Sequence, residues 1–92
     1  MYVENVVIGK PLIPDWMLLA IDEEDFEKVE KEKTYYTEER FLPRILVDLG
    51  IYPSISEIRR NRKDLMVTLD KVDFLDKKKV AKNKWLWIVV GE

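Results

Sequence analysis

Residues 42–72, LPRILVDLGIYPSISEIRRNRKDLMVTLDKV, carry the clearest structural signals in this chain of 92 residues. Apolar side chains recur at helical spacing up to Gly50, and glycine commonly ends helices in the left-handed conformation. Ser54 and Glu57 have the spacing of a capping box, which predicts the start of a second helix. Val67 and Leu69 then share one side of a predicted strand over residues 66–72.

Pro43 leaves two possibilities for the first of these helices. Proline is tolerated only in the first helical turn. The helix therefore begins near Leu42, or it begins at Thr37 and is kinked at Pro43. The second possibility would place Glu38 and Glu39 at the positive end of the helix dipole.

Positive charge is concentrated on the second helix. At about 3.6 residues per turn, Arg59, Arg60 and Lys63 fall within about 100° of one another and predict a cationic strip. Arg62 lies between the apolar positions, so it must extend outward, or the helix must already end there. Arginine can meet two phosphate oxygens at once. The candidate phosphate-binding residues are Arg44, Arg59, Arg60, Arg62, Lys63 and Lys71. The alternative is a solvated helix face whose charges pair with Glu57 and Asp64.

The strongest strand signal is WLWIVV at residues 85–90, which is apolar on both faces and predicts a central or doubly covered strand. Charged turns are predicted at residues 76–79 and 82–84. Trp85 and Trp87 would share one side of the strand. Such tryptophans usually belong to a core or an oligomer contact, and base stacking is the less common alternative.

The net charge of −2 conceals a division of the chain. Residues 1–40 carry eleven acids and five bases, whereas residues 41–92 carry eleven bases and seven acids. A weak strand is predicted before Gly9, a helix from about Asp15, and a polar helix over residues 22–33. We therefore expect an acidic N-terminal extension, 1–40, in the same fold as a basic part, 41–92. The basic part indicates a polyanionic partner, and the acidic part is a solvated surface or a docking site for another protein.

Several function classes are disfavoured by composition. The chain has no histidine and no cysteine, and its three glycines are isolated from one another. Proton transfer near neutral pH, a thiol nucleophile and a glycine-rich phosphate loop are therefore unsupported. We expect no enzyme activity, no cofactor and no metal. The longest apolar run, 85–90, is far shorter than the ~20 residues of a membrane span, and no signal peptide is visible, so we expect a cytoplasmic protein.

A family resemblance covers residues 40–92. LVDLGI at 46–51, then Ser54, SE at 56–57, RR at 59–60 and VTL at 67–69 resemble the ribosomal protein S-four type of RNA-binding domain, also called the alpha-L motif. That domain occurs at the C-terminus of bacterial tyrosyl-tRNA synthetases. The family has alanine where Ile58 stands, and asparagine-glycine where Asp70 and Lys71 stand. The resemblance implies that the second helix contacts RNA phosphates.

These patterns together predict one α+β domain with two packed helices on a small, mainly antiparallel sheet. The predicted function is non-catalytic binding of structured RNA, such as transfer or ribosomal RNA, through the basic helix face and the adjoining turn. One alternative is a protein-interaction or assembly module, of phage or mobile-element type, that uses strand 85–90 and the acidic segment. Another is a winged-helix DNA-binding protein with residues 55–63 as the recognition helix. The oligomeric state is left open.

Overall fold

The computed structural model describes residues 3–20 and 22–92, which form an α+β fold around one four-stranded sheet. The elements in chain order are β1 (Asn5–Ile8), α1 (Asp15–Leu19), α2 (Glu23–Asp25), β2 (Thr34–Thr37), α3 (Leu42–Asp48), α4 (Ile55–Asn61), β3 (Asp73–Ala81) and β4 (Lys84–Val90). Helix α2 continues through a π-helical turn, Phe26–Glu30, into a 3₁₀ turn, Lys31–Lys33. We call residues 23–33 the α2 segment. A further 3₁₀ turn, Lys63–Leu65, follows α4.

The sheet is mixed, which corrects the prediction of a mainly antiparallel sheet. Its strand order is β2-β1-β4-β3, and β1 runs parallel to both of its neighbours. Only β3 and β4 pair in the antiparallel sense. All four residues of β1 are buried, and they lie between β2 and β4. Parallel neighbours need a long crossover connection. Residues 9–33, with α1 and the α2 segment, provide it between β1 and β2.

The predicted strand over residues 66–72 is wrong. This stretch forms only an isolated bridge between Thr68 and Phe41, and Val67 and Val72 are exposed. The predicted turn at 76–79 is also wrong, because these residues lie inside β3. Strand β3 is an edge strand, where lysines are common because they discourage pairing with another chain. The charged residues 76–79 therefore resembled a turn in the sequence although they belong to an edge strand.

The helix boundaries follow local chemistry. Helix α3 begins at Leu42, and this resolves the choice left open by Pro43, which occupies the first helical turn. Gly50 has a φ of 76°, the left-handed conformation predicted for a helix stop. Ser54 Oγ accepts a hydrogen bond from the Glu57 amide at 3.2 Å, so the predicted N-cap of α4 is present.

The two faces of the sheet have different partners. Alternate side chains of the strands pack beneath α3 and α4 in a single apolar core. The Tyr52 hydroxyl donates a hydrogen bond of 2.6 Å to the Val80 carbonyl and ties the loop between these helices to β3. The core comprises Val6, Ile8, Leu42, Ile45, Leu46, Ile58, Leu65, Val80, Leu86, Ile88 and Val90.

The opposite face is covered in part by the α2 segment. Asn5, which alternates with the core residues of β1, is buried and donates a hydrogen bond of 3.0 Å to Glu30. It also donates one of 3.2 Å to Thr34 Oγ1. Lys33 pairs with Glu4 at 3.4 Å beside this contact. The α2 segment is thus anchored over β1 and β2.

The C-terminal end of the chain is held by backbone and guanidinium contacts. Arg40 donates hydrogen bonds to the carbonyls of Leu69 at 3.2 Å and Gly91 at 3.1 Å. The Gly91 amide donates to Ile8 O at 2.7 Å, and this extends the pairing of β1 with β4. A Cβ atom at Gly91 would lie 2.2 Å from the Lys10 carbonyl carbon and oxygen. Only glycine allows this close backbone approach.

Replacing Ser54 with alanine removes the cap of α4, because the Glu57 amide loses its acceptor. We expect Ser54→Ala to lower the free energy of unfolding by about 1 kcal/mol. Urea denaturation followed by circular dichroism measures the change. Ser56→Ala, at an exposed position of the same helix, is the control and should change stability much less. Equal effects of the two substitutions would contradict the role of the cap.

Replacing Gly91 with alanine forces the chain end away from Lys10. We expect Gly91→Ala to lower the free energy of unfolding by about 2 kcal/mol, as overpacking does in other tight sites. Thermal melting measures the loss. Glu92→Ala is the control, because Glu92 is exposed and the substitution leaves its backbone hydrogen bonds intact. This variant should have a melting temperature close to that of the parent chain.

Candidate nucleic-acid interface

The orientation of α4 is fixed by one apolar side chain. Ile58 is fully buried against the core, so its neighbours Arg59 and Arg60 lie on the outer side of the helix and are exposed. The helix ends at Asn61, and Arg62 has a non-helical backbone with φ −142° and ψ 67°. The predicted strip assumed a helix continuing to Lys63. Lys63 instead belongs to the following 3₁₀ turn, and helical spacing does not determine its direction.

Arg62 joins the end of α4 to β3. Its Nε and Nη2 atoms donate hydrogen bonds to the two oxygens of Asp64, both at 3.0 Å, and Nη2 also donates to the Lys79 carbonyl at 3.3 Å. A guanidinium held by three acceptors is less available to a ligand than its exposed neighbours. For Arg62 the structure matches the alternative interpretation, in which the helix charges pair with nearby acids.

The same contact shifts two pKa values. The hydrogen bonds from Arg62 lower the pKa of the Asp64 carboxyl below its ordinary value, and the charge of Lys78 adds to this effect. The Asp64 carboxylate in turn raises the pKa of Arg62. The contribution of Lys78 shows that this β3 lysine also lies near the end of α4. The turn after α4 therefore lies against the edge strand of the sheet.

Arg60 is also paired, but more loosely. Its guanidinium forms an ion pair with Glu57 one turn earlier, and 71% of its side chain is exposed. Exposed pairs of this kind contribute only about 0–1 kcal/mol. A phosphate can therefore replace Glu57 as the partner of Arg60 at small energetic cost.

Arg59, Lys63, Arg44 and Lys71 are exposed, and none of them forms an ion pair with another described side chain. Arg59 and Arg60 lie on the last turn of α4, and Lys63 lies in the 3₁₀ turn that follows. Arg44 lies on α3 and Lys71 lies in the loop before β3, so they belong to other elements. Lys71 borders an open groove of about 490 Å³, lined by Thr68, Leu69, Asp70, Lys71, Val72 and Val90.

The lysines predicted to lie in a turn at residues 76–79 lie on β3 instead. Lys77 and Lys79 pair across the hairpin with Trp87 and Trp85, so they share a face with those tryptophans. Lys78 lies opposite Leu86 and belongs to the other face. Residues 76–79 are all charged and show no alternation of polar and apolar residues, so periodicity gave no strand signal there. We define the basic edge as Arg59, Arg60 and Lys63 at the end of α4 with Lys77, Lys78 and Lys79 on β3.

The described parts of the chain contain neither a candidate metal site nor a candidate membrane-spanning helix. Within residues 3–20 and 22–92, no cluster of three or more acidic, histidine or cysteine side chains is placed to hold a metal ion. In the same described parts of the chain, no helix has the length and apolar character required to cross a membrane. Comparison with protein-family models, curated proteins and solved structures gives no match.

The Arg62–Asp64 pair can be tested by titration. Asp64 should titrate below the ordinary range of an aspartate, and Arg62→Gln should return its pKa towards that range because the donated hydrogen bonds are lost. Carboxyl chemical shifts in NMR spectra recorded against pH measure both values. Since the folded-state pKa is lowered, the pair stabilises the fold at neutral pH, and this contribution disappears as the pH falls through the folded-state pKa. Arg59→Gln is the control and should leave the pKa of Asp64 unchanged.

Proposed function

We propose that this protein binds structured RNA without catalysis, and that the basic edge is its principal contact surface. The observation that carries the proposal is the junction made by Arg62, whose guanidinium bridges Asp64 and the Lys79 carbonyl. Because of this junction, the end of α4 lies against β3, and its cations border the same edge of the sheet as the β3 lysines, with Lys78 on the face under α4 and Lys77 and Lys79 on the opposite face. Helix α4 alone would offer a smaller positive surface.

Charge distribution supports a polyanionic partner. Residues 22–39 hold half of the acidic residues of the chain. The α2 segment, which belongs to this stretch, covers β1 and β2, whereas the basic edge lies at β3, the opposite edge of the sheet. The two sheet edges therefore differ in charge. Binding partners respond to such local potential over about one Debye length, ~8 Å at physiological salt. A phosphate backbone approaching β3 meets lysines and arginines and is kept away from the acidic side.

The composition of the basic edge favours contacts to phosphate over base reading. Arg59 and Lys63 are exposed, and Arg60 can exchange Glu57 for another acceptor. In A-form RNA the major groove is too narrow for side chains to read, so proteins recognise duplex regions largely through shape, phosphates and 2′-hydroxyls. The resemblance of residues 40–92 to the alpha-L motif supports RNA as the nucleic acid. Transfer RNA and ribosomal RNA are the proposed classes of partner.

A protein-interaction module is the second candidate, and one observation favours it. Trp85 and Trp87 are 48% and 39% exposed on β4, and exposed tryptophans are common in protein interfaces. The lysines beside them restrict such a partner to an acidic protein surface.

Removal of two exposed cations from the basic edge tests the proposal. We expect Arg59→Ala with Lys63→Ala to weaken binding to a labelled RNA hairpin by about tenfold. The slope of log affinity against log salt should become less negative by about 1.5, because two phosphate contacts are lost. Fluorescence anisotropy at several salt concentrations measures both effects.

The matched control is Lys28→Ala with Lys31→Ala, which removes two exposed lysines from the α2 segment. This variant should bind the hairpin as the parent chain does. Unchanged affinity after loss of Arg59 and Lys63 would refute the proposal. Stronger binding to a sequence-matched DNA duplex than to RNA would instead support the DNA-binding alternative.

A further inference from the structure

Two exposed tryptophans and two lysines form one surface on the β3–β4 hairpin. The register pairs Lys77 with Trp87 and Lys79 with Trp85, and cross-strand partners project from the same face. Lys77 Nζ lies 5.1 Å from the ring centroid of Trp87 and 5.3 Å from that of Trp85. Lys79 Nζ lies 5.9 Å from the Trp85 ring. We call these four residues the tryptophan–lysine face.

Trp85 and Trp87 lie outside the apolar core that anchors β4. On β4 the side chains of Leu86 and Ile88 point into the core, so the strand is already anchored from its other side. The α2 segment is fastened at Asn5, next to Trp87, and both tryptophans remain substantially exposed. The solvent face of such a strand is usually polar. Neighbouring exposed aromatic side chains commonly mark a binding site.

We propose that the tryptophan–lysine face binds unpaired bases of RNA by stacking. This inference rests on the proposed function, because the stacked bases would belong to unpaired nucleotides that flank a duplex held at the basic edge. Lys77 and Lys79 belong to both surfaces, so the two are continuous across β3. The protein would then recognise a junction between paired and unpaired RNA.

The spacing of the rings suits this ligand. Side chains two positions apart on a strand are separated by about 6.6 Å. That is close to twice the ~3.4 Å rise between stacked bases. A flat base can therefore lie against either indole or between the two. Any base has a π face, so this kind of contact tolerates different sequences.

Lys77 occupies the position over both rings when no ligand is bound. A contact between an exposed ammonium and an indole is weaker than stacking of a base on the same ring. An incoming base can therefore displace the ammonium, which then becomes available to the phosphate of the same nucleotide. The lysine keeps the aromatic surface covered in the free protein and contributes charge in the complex.

Charge argues against the other occupants of this face. A second copy of the chain would bring Lys77 and Lys79 against their own equivalents, and the lysines on the β3 edge discourage strand pairing between copies. An acidic peptide would satisfy the lysines, but its carboxylates offer the indoles no aromatic ring to stack on. Single-stranded RNA supplies both the phosphates and the flat rings.

The experiment compares two probes, an unstructured oligouridylate and a blunt-ended RNA duplex, by fluorescence anisotropy. We expect Trp85→Ala with Trp87→Ala to weaken oligouridylate binding at least about tenfold, since each stacked base contributes substantially. Duplex affinity should stay within about twofold of the parent chain. Trp85→Phe with Trp87→Phe should restore most of the oligouridylate binding, because phenylalanine still offers a ring. Thermal melting confirms that the variants are folded.

Leu12→Ala with Met17→Ala is the matched control, since both of these side chains are apolar and more than half exposed, at 56% and 55%. It should bind oligouridylate like the parent chain. The inference is overturned if the tryptophan-to-alanine variant keeps its oligouridylate affinity, or if the phenylalanine variant loses as much as the alanine variant. It is also overturned if the parent chain forms a dimer that only the alanine variant disrupts, or if it binds an acidic peptide and no oligouridylate.

The failures of the two proposals are distinguishable. If the inference alone fails, duplex binding still depends on Arg59 and Lys63, and the affinity for oligouridylate is unchanged by substitution of Trp85 and Trp87. If the proposed function alone fails, the parent chain shows no duplex affinity, and oligouridylate binding still depends on Trp85 and Trp87.

Discussion

The pairing of β1 with β4 organises this fold. It joins residues near the start of the chain, Asn5–Ile8, to residues near its end, with Ile8 opposite Val90. This contact places β4 in the interior of the sheet and decides which of its side chains face α3 and α4. Because the register has a period of two, a slip of one residue would exchange the core side chains of β4 with its tryptophans. Gly91 and Arg40 secure the register at its far end.

The contacts that organise the basic edge are electrostatic. They fix the position of the turn after α4 more than they add to the stability of the fold. Arg62 is fixed by Asp64 and by the Lys79 carbonyl on a partly exposed surface, where an ion pair contributes little to folding. Its effect is geometric, because it holds the turn after α4 against β3. One arginine is thereby withdrawn from ligand contact, and its neighbours are set beside the β3 lysines.

The proposed RNA-binding surface combines two kinds of interaction. The basic edge would attract a phosphate backbone with little regard to sequence, since its cations lie on the surface and contact oxygens. The tryptophan–lysine face would select for unpaired nucleotides, since a base inside a duplex cannot present its ring to an indole. Lys77 contributes to both, through its charge and through its position over the rings. Discrimination between RNA structures would thus depend on the shape of the RNA and on which of its bases are unpaired.

Local features of this protein could be read from the order of its residues. The cap at Ser54 and the left-handed stop at Gly50 depend on chemistry within a few residues, and the run of apolar residues at 85–90 predicted a central strand. The structure contains all three, with Trp85 and Trp87 exposed on one face of that strand. The parallel pairing of β1, the strand character of β3 and the contact of Arg62 with β3 came from the tertiary structure. These features depend on partners distant in the chain: β1 on β4, Lys77 on Trp87, and Arg62 on Lys79. Residue spacing encodes which side chains share an element's face, whereas the choice of neighbouring element follows from burying all apolar faces together.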